Sequence, residues 1–434
     1  MIETGSTTLT RGCAECEALA AGPSRRSVLK GMLGLGAGAV VGSGLINTRI
    51  AYAADGTYTG DTLVVVSLRG GMDGMSAIVP AGDPNYYTLR PGIGVPAAST
   101  IALDSMFGLH PALAPLKPLW DAKTFAAVHA TGLPSPNRSH FSAQAEIEAA
   151  DPGTLIRTGW LDRLLGLNTP GGPFGAVQIG STDMPMSLAG PFPTLGMYSV
   201  DSFALNGTNT DADRVNWTNA LDSLYSAADS GTAAATSETL GALAEVATLR
   251  AAGYTPANGA VYPASDFGNA LSDVARLIKA GVGVRVATID VGNWDMHVGL
   301  GTPGSGWMHD NLTDLGAGLA AFATDLGSAL SGVTLLTISE FGRRAQENDS
   351  GGLDHGWGNV MLALGGGVKG GQVLGKWPTL DPAARYEGRD LAVTTDFRDL
   401  FGEMLARHLG AADLASVFPG YPIRSENFPG VIRI

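Results

Sequence analysis

Three short stretches in the second half of the chain combine carboxylates with imidazoles. They are Trp294-Asp295-Met296-His297, Glu340-Phe341-Gly342-Arg343 and Asp354-His355-Gly356-Trp357-Gly358. Each flanks a short apolar run that reads as a buried β-strand. In an open α/β sheet, ligands bind in the loops beyond the carboxyl ends of the strands. Asp, Glu and His side chains gathered there suit a hard or borderline metal ion. Asp73, in the Gly-rich loop Arg69-Gly70-Gly71-Met72-Asp73-Gly74, adds a further carboxylate. The expected ligands are therefore Asp73, Asp295, His297, Glu340, Asp354 and His355, and the expected ions are zinc, calcium, magnesium or manganese. The chemistry suggested is that of a metal-dependent hydrolase or transferase acting on an oxyanion ester.

Each of these residues also has a plainer reading. Buried carboxylates are costly unless paired or metal-bound, and Glu340 has Arg343 and Arg344 close by as salt-bridge partners. Arg343 is alternatively the guanidinium that grips two oxygens of a phosphate or sulfate. Ser139 is either a helix N-cap or a nucleophile lying in the positive field of a helix N-terminus. His140 reads as a base or, more simply, as a packing or supporting side chain. His110 and His129 read as structural.

The elements that must position these residues alternate along the chain. Leu63–Leu68, Phe125–Val128, Val284–Ile289, Val333–Ile338 and Val360–Leu364 read as strands buried on both faces. A helix is expected from about Ser139 through Ala150. An amphipathic helix is expected over Asp266–Ala280, and another is marked by Leu312, Leu315, Leu319, Phe322, Leu326 and Leu330 at 3–4 spacing. Such alternation predicts an α/β fold with a mostly parallel sheet. The stretch 200–265 is rich in Ala, Ser, Thr, Asn and Asp, and reads as a peripheral helical insertion. No internal repeat is visible.

The 434 residues suffice for one large domain with an insertion. Only 15% are charged and 61 are Gly, which argues for a buried core and against disorder. A formal net charge of −13 makes nucleic acid an improbable partner. Ser24-Arg25-Arg26-Ser27-Val28-Leu29-Lys30 resembles a twin-arginine export signal. The apolar stretch after it is shorter than the roughly 20 residues of a membrane-spanning helix, and Ala51-Tyr52-Ala53 fits a cleavage site. The expected organisation is a leader over residues 1–53 and a mature domain over 54–434 without a stable membrane span. The twin-arginine translocase would be its partner during export to the periplasm, envelope or exterior. Cys13 and Cys16 would leave with the leader, so the mature chain would have neither disulfides nor a thiolate nucleophile.

Taken together, the twin-arginine leader, Leu68–Gly74, Arg138-Ser139-His140-Phe141, Gly292–His297 and Glu340–Arg343 followed by Asp354-His355-Gly356 resemble the exported DUF1501 family. That family is placed in the alkaline phosphatase/sulfatase superfamily. The resemblance implies a three-layer, alkaline phosphatase-like fold and a two-metal site. By the same resemblance, Asp73 is the first-strand ligand and Ser139 stands at the nucleophile position. Asp295 and His297 pair on one metal, with Glu340 after the next strand and His355 before the last. Two departures stand out. The superfamily usually has Asp-His where this chain has Glu340-Phe341, and Ser135-Pro136-Asn137-Arg138 does not match the motif of formylglycine sulfatases. The leading expectation is an exported metal-dependent hydrolase of phosphate or related oxyanion esters, small or polymeric. The competing one is a catalytically reduced envelope protein that keeps the fold for binding or assembly.

Overall fold

Strand β1 (Thr62–Leu68) shows why the molecule is layered. Its side chains alternate between two cores. Val64, Val66 and Leu68 join one, and Leu63 and Val65 join the other. A strand apolar on both sides must be covered on both sides, and helices supply the cover. In the computed structural model, which describes residues 58–433 apart from 153–157, 168–171, 206–209 and 229, β1 occupies the middle of the main sheet. The leader, its arginine pair and both cysteines lie outside the described residues.

The remaining strands are β2 (Ile78–Val79), β3 (Ile101–Ala102), β4 (Gly108–Leu109), β5 (Phe125–Gly132), β6 (Ala176–Ile179), β7 (Leu195–Met197), β8 (Val286–Val291), β9 (Val333–Ile338), β10 (Asn359–Gly365), β11 (Val373–Leu374) and β12 (Thr395–Asp396). The main sheet runs β11-β5-β10-β9-β1-β8-β6-β7, with β12 also paired to β5. β2, β3 and β4 form a small antiparallel sheet. Within the main sheet β1 is parallel to β8 and β9, and β6 is parallel to β7 and β8. β10 alone runs against its neighbours β5 and β9. The sheet is therefore mostly parallel, as expected, with one reversed strand inside it. No helix separates β9 from β10, and a parallel return needs a crossover. The reversal places the start of β10 at the same edge as the carboxyl ends of β5, β9, β1 and β8.

The longer helices are α1 (His140–Ala149), α2 (Trp160–Leu167), α3 (Asp211–Tyr225), α4 (Ser230–Ala252), α5 (Asp266–Ala280), α6 (Trp307–Leu326) and α7 (Phe397–Arg407). α5 and α6 cover one face through Leu271, Val274, Leu312, Leu315 and Phe322. α1, α2 and α7 cover the other through Ala143, Ile147, Leu164, Phe401 and Met404. α5 begins where Ser265 accepts a hydrogen bond from the Gly268 amide (3.0 Å) and ends at Gly281 with φ +68°. α6 stops at Leu326, so Leu330 falls on the following 3-10 turn. In the 200–265 region, α3 packs on α4, and α4 reaches the core through Ala242 and Val246. Among the described residues, no helix is long and apolar enough to cross a membrane.

The loop after β1 is fixed by a buried ion pair. Asp73 caps the short helix Gly74–Ala77 by accepting from the Ser76 amide (3.0 Å). Both its carboxylate oxygens face Arg90, with Nη2 donating to Oδ1 at 3.0 Å. Arg90 also donates to the Ala345 carbonyl (2.9 Å) and the Arg344 carbonyl (3.0 Å), tying this loop to the one after β9. Burial opposes the charge on Asp73, but the Arg90 guanidinium outweighs it and holds the carboxyl below its ordinary value of 3.8. Removing one partner of such a buried pair costs about 3–5 kcal/mol. Arg90→Ala is therefore expected to lower the melting temperature sharply at neutral pH. A depressed native pKa contributes stability above the unfolded value and loses it as pH falls through the native one. The gap between wild type and variant should thus narrow on acidification below about pH 3.8. A gap independent of pH in thermal melts would refute the pairing.

Candidate metal centre

Four loops converge at the carboxyl edge of the sheet. The loop after β5 delivers Ser139 and His140 at the start of α1, and the loop after β8 carries Asp295 and His297. The loop after β9 carries Glu340 and Arg343, and the segment entering β10 carries Asp354 and His355. A bridge between Arg343 and His355 pins the last two together. Close backbone approach makes glycine necessary at two points. A Cβ on Gly70, whose φ is +115°, would lie 2.6 Å from the Asp295 nitrogen, and one on Gly342 would lie 1.9 Å from the Gly358 oxygen.

His140, Asp295 and His355 form the cluster able to hold a metal ion, with one ligand atom from each lying within 4.8 Å of the others. Their ring orientations follow from their outer partners. Nδ1 of His140 is 2.8 Å from Glu340 Oε1, and Nδ1 of His355 is 2.8 Å from the Arg138 carbonyl. Both partners accept, so each Nδ1 donates and each Nε2 is turned toward Asp295. His140 Nε2 is buried, has no hydrogen-bond partner among the described residues and sits 3.5 Å from Asp295 Oδ2. His355 Nε2 lies 3.3 Å from Asp295 Oδ1. Around tetrahedral zinc with bonds of about 2.0–2.1 Å, ligand atoms stand about 3.3 Å apart. The spacings of 3.5 and 3.3 Å, to the two oxygens of Asp295, are close to that value.

His297 stands at the rim of this group. Its Nε2 is 2.9 Å from His355 Nε2 and 3.0 Å from Asp295 Oδ1, and its Nδ1 is 3.5 Å from Asp354 Oδ1. Asp354 also faces Arg344 Nη1 (3.2 Å) and Asn348 Nδ2 (3.3 Å), so it acts beside the cluster. Burial lowers the pKa of His355, with Arg343 and His140 adding to the shift, which favours the neutral ring that a metal needs. Burial would raise the pKa of Asp295, but its hydrogen bond and charge contact with Arg343 hold it below the ordinary value.

Three expected roles are redistributed. Asp73 is not brought to the cluster, because Arg90 takes its oxygens. Glu340 is a supporting carboxylate: Oε1 accepts from His140 and from the Gly70 amide (2.8 Å), and Oε2 accepts from Ser339 (3.1 Å). Arg343 is almost fully buried, and all three of its nitrogens are engaged. They donate to the carbonyls of Gly71 (2.6 Å), Leu353 (2.9 Å), Gly70 and Trp294 (3.2 Å), and to Asp295 Oδ1 (2.7 Å). Its guanidinium holds Asp295 and three loops instead of reaching out to a substrate. Ser139 is exposed, and its side chain does not cap α1.

Sequence reasoning left His140 in a supporting role, yet Glu340 fills that role and His140 faces the cluster. The available signal was its position in the first turn of a helix that follows a strand at the same edge. Phe341 follows Glu340 directly. It is buried, with its ring 4.9 Å from that of His140 and 4.6 Å from that of His355. It acts as the wall against which the His140 and His355 rings pack.

These features describe an α/β protein with a mostly parallel sheet and a candidate metal centre at its carboxyl edge. The chain belongs to DUF1501, described as a protein family of unknown function, whose model matches residues 124–418. The match takes in every stretch of the cluster, while the Asp73 loop precedes it. No curated protein matches the chain. The chain is distantly similar to three crystal structures. The zinc complex of the C-terminal periplasmic domain of EcEptC from Escherichia coli gives a TM-score of 0.33 at 10% identity, over 73% of this chain and 75% of that one. The PsFucS1 sulfatase from Pseudoalteromonas sp. gives 0.36 at 13%, over 86% and 74%. The phosphonate monoester hydrolase of Agrobacterium radiobacter gives 0.28 at 11%, over 83% and 78%. At such TM-scores the likenesses carry no argument about activity.

Partners that orient a ligating histidine typically contribute 10–100-fold to metal affinity. Glu340→Gln is therefore expected to weaken metal binding by about 10–100-fold, because the amide can turn its NH2 toward Nδ1 and release the ring. A competition titration against a chelator measures this. Unchanged affinity would exclude Glu340 from the support of His140.

Proposed function

We propose that this protein is an exported, metal-dependent hydrolase of phosphate or related oxyanion esters. The observation that carries the reading is the pair of imidazoles held at Nδ1 by Glu340 and by the Arg138 carbonyl so that both Nε2 atoms face Asp295, with His140 Nε2 buried and unpartnered among the described residues. A buried polar nitrogen is costly unless something satisfies it. A divalent ion bound there would polarise the ester oxygen as a Lewis acid. His140, Asp295 and His355 are its proposed ligands, with His297 completing the shell. A nitrogen-rich set of this kind favours zinc over calcium or magnesium.

The chain's own residues then have separate tasks. Ser139 stands one residue before a ligand, at the start of the ten-residue α1. Helix amides there are suited to an anionic ester. Its uncapped hydroxyl is the proposed nucleophile, and a water is the alternative. Arg343 acts through Asp295: its charge keeps the carboxylate ionised and in place. The ester itself, small or polymeric, is set by groups outside this centre.

Purified protein should carry about one zinc or other divalent ion per chain, and an Asp295→Asn/His355→Ala variant should carry none. Turnover of p-nitrophenyl phosphate, its diester and the corresponding sulfate should follow metal content. Ser139→Ala should keep the metal and lose turnover if the hydroxyl attacks. Absence of metal after refilling with zinc, manganese, calcium and magnesium in turn would sink the hydrolase reading and favour a binding role. Export is tested separately. Replacing Arg25 and Arg26 by Lys should leave the precursor in the cytoplasmic fraction, and continued export would show that the twin arginines are not the signal.

A further inference from the structure

A cavity, chemically unlike the metal centre, lies beside the helical region. Its volume is about 520 Å3, within the range of about 300–1,000 Å3 usual for small-molecule sites. Its walls come from Gly180 just past β6, Tyr198, Ser199 and Asp201 after β7, the end of α4 at Arg250 with the segment that follows it through Tyr254, and α5 from Asp266 to Arg276. None of its lining residues belongs to the metal cluster.

The polar groups of this cavity are interleaved donors and acceptors with nearly balanced charge. Buried Arg276 is already paired, donating to Asp201 Oδ1 (2.9 Å) and to the Leu249 carbonyl (2.7 Å). Tyr198 donates its hydroxyl to Asp266 Oδ1 (3.2 Å), and Asp273 Oδ2 accepts from the Val200 amide (2.9 Å). Each of these three carboxylates retains an oxygen with no hydrogen bond among the described residues. Asn269 and Ser272 have no side-chain partner among them either, and Arg250 makes only a long contact to the Asp201 carbonyl (3.4 Å). A free anion entering here meets three carboxylates, and a free cation meets two guanidinium groups. Hydroxyl groups both donate and accept, so they suit such a surface. The Tyr198 ring, 58% exposed and tethered by its hydroxyl, offers an apolar face beside it.

We propose that this cavity binds a neutral polyhydroxylated ligand, a sugar unit of a carbohydrate, through Arg250, Asn269 and Ser272 with the Tyr198 ring against its apolar face. The inference stands independently of the metal centre. The test is saturation-transfer NMR and calorimetric titration of the whole protein. The probes are D-glucose, D-galactose, D-mannose and L-fucose, beside sodium phosphate and putrescine. The expected result is saturable binding of at least one sugar, weakened about tenfold or more in both Asn269→Ala and Tyr198→Ala. Metal content and melting temperature should stay unchanged in both variants. Failure of all four sugars, or sugar binding untouched by both substitutions, would overturn the proposal. So would saturable phosphate or putrescine binding that the substitutions abolish.

Discussion

The guanidinium of Arg343 is the buried charge around which the edge of the sheet is organised. Three loops, those after β1 and β8 and the segment entering β10, are joined by a few backbone hydrogen bonds, among them the Trp294 amide to the Arg69 carbonyl (3.2 Å) and the Leu353 amide to the Met296 carbonyl (3.0 Å). Arg343 adds a buried hub to them by donating to the carbonyls of Gly70, Gly71, Trp294 and Leu353. Carbonyls and one carboxylate satisfy its nitrogens in a place where an unpaired guanidinium would be very costly. The same group fixes Asp295, so loop architecture and the cluster's single carboxylate depend on one side chain.

Around that hub, ion pairs sort carboxylates into two kinds. Asp73 and Asp295 each face an arginine and are held ionised. Asp73 is sealed off in its pair, whereas Asp295 keeps Oδ2 toward His140 and shares Oδ1 with His355 and His297. Glu340 belongs to neither kind. It works through His140, setting which ring nitrogen carries the proton. Identical residue types thus serve as structural anchor, cluster member and orienting group. The difference lies in which nitrogen, amide or guanidinium each carboxylate meets.

The reversed strand β10 is the topological feature that completes the centre. Were it parallel, its amino end would open on the opposite edge, and His355 would be carried away from Asp295. The direct return from β9 keeps Glu340, Arg343 and His355 on one edge, within a connection short enough for Arg343 and His355 to bridge. On the far side of β8, strands β6 and β7 lead toward the helical region and its polar cavity.

Much of the fold was legible from local pattern. The runs around Val64 and Leu362 are continuously apolar, and those around Val286 and Leu335 are broken only by Arg285, Thr288, Thr334 and Thr337, as suits strands covered on both faces. α5 was visible through its apolar stripe of Leu271, Val274, Ala275, Leu277 and Ile278. The edge at which chemistry gathers followed from Asp295, Glu340 and His355 all adjoining strands. The short strands β6 and β7 and the small sheet escaped notice, since two to four residues carry too little periodicity to read. The direction of β10 escaped as well, because a strand's sequence is the same whichever way it runs.

Within the centre, residue type and spacing determined the inventory: which imidazoles and carboxylates lie near strand ends, and that no cysteine in residues 54–434 competes with them. Tertiary structure alone decided their roles. Asp73 met Arg90, whose partnership spans 17 positions. Glu340 met His140 across 200 positions, and Arg343 met Asp295 across 48. Hydrogen-bond partners at such separations are chosen by how loops pack against one another, and a carboxylate's local sequence carries no record of which cation or ring will face it.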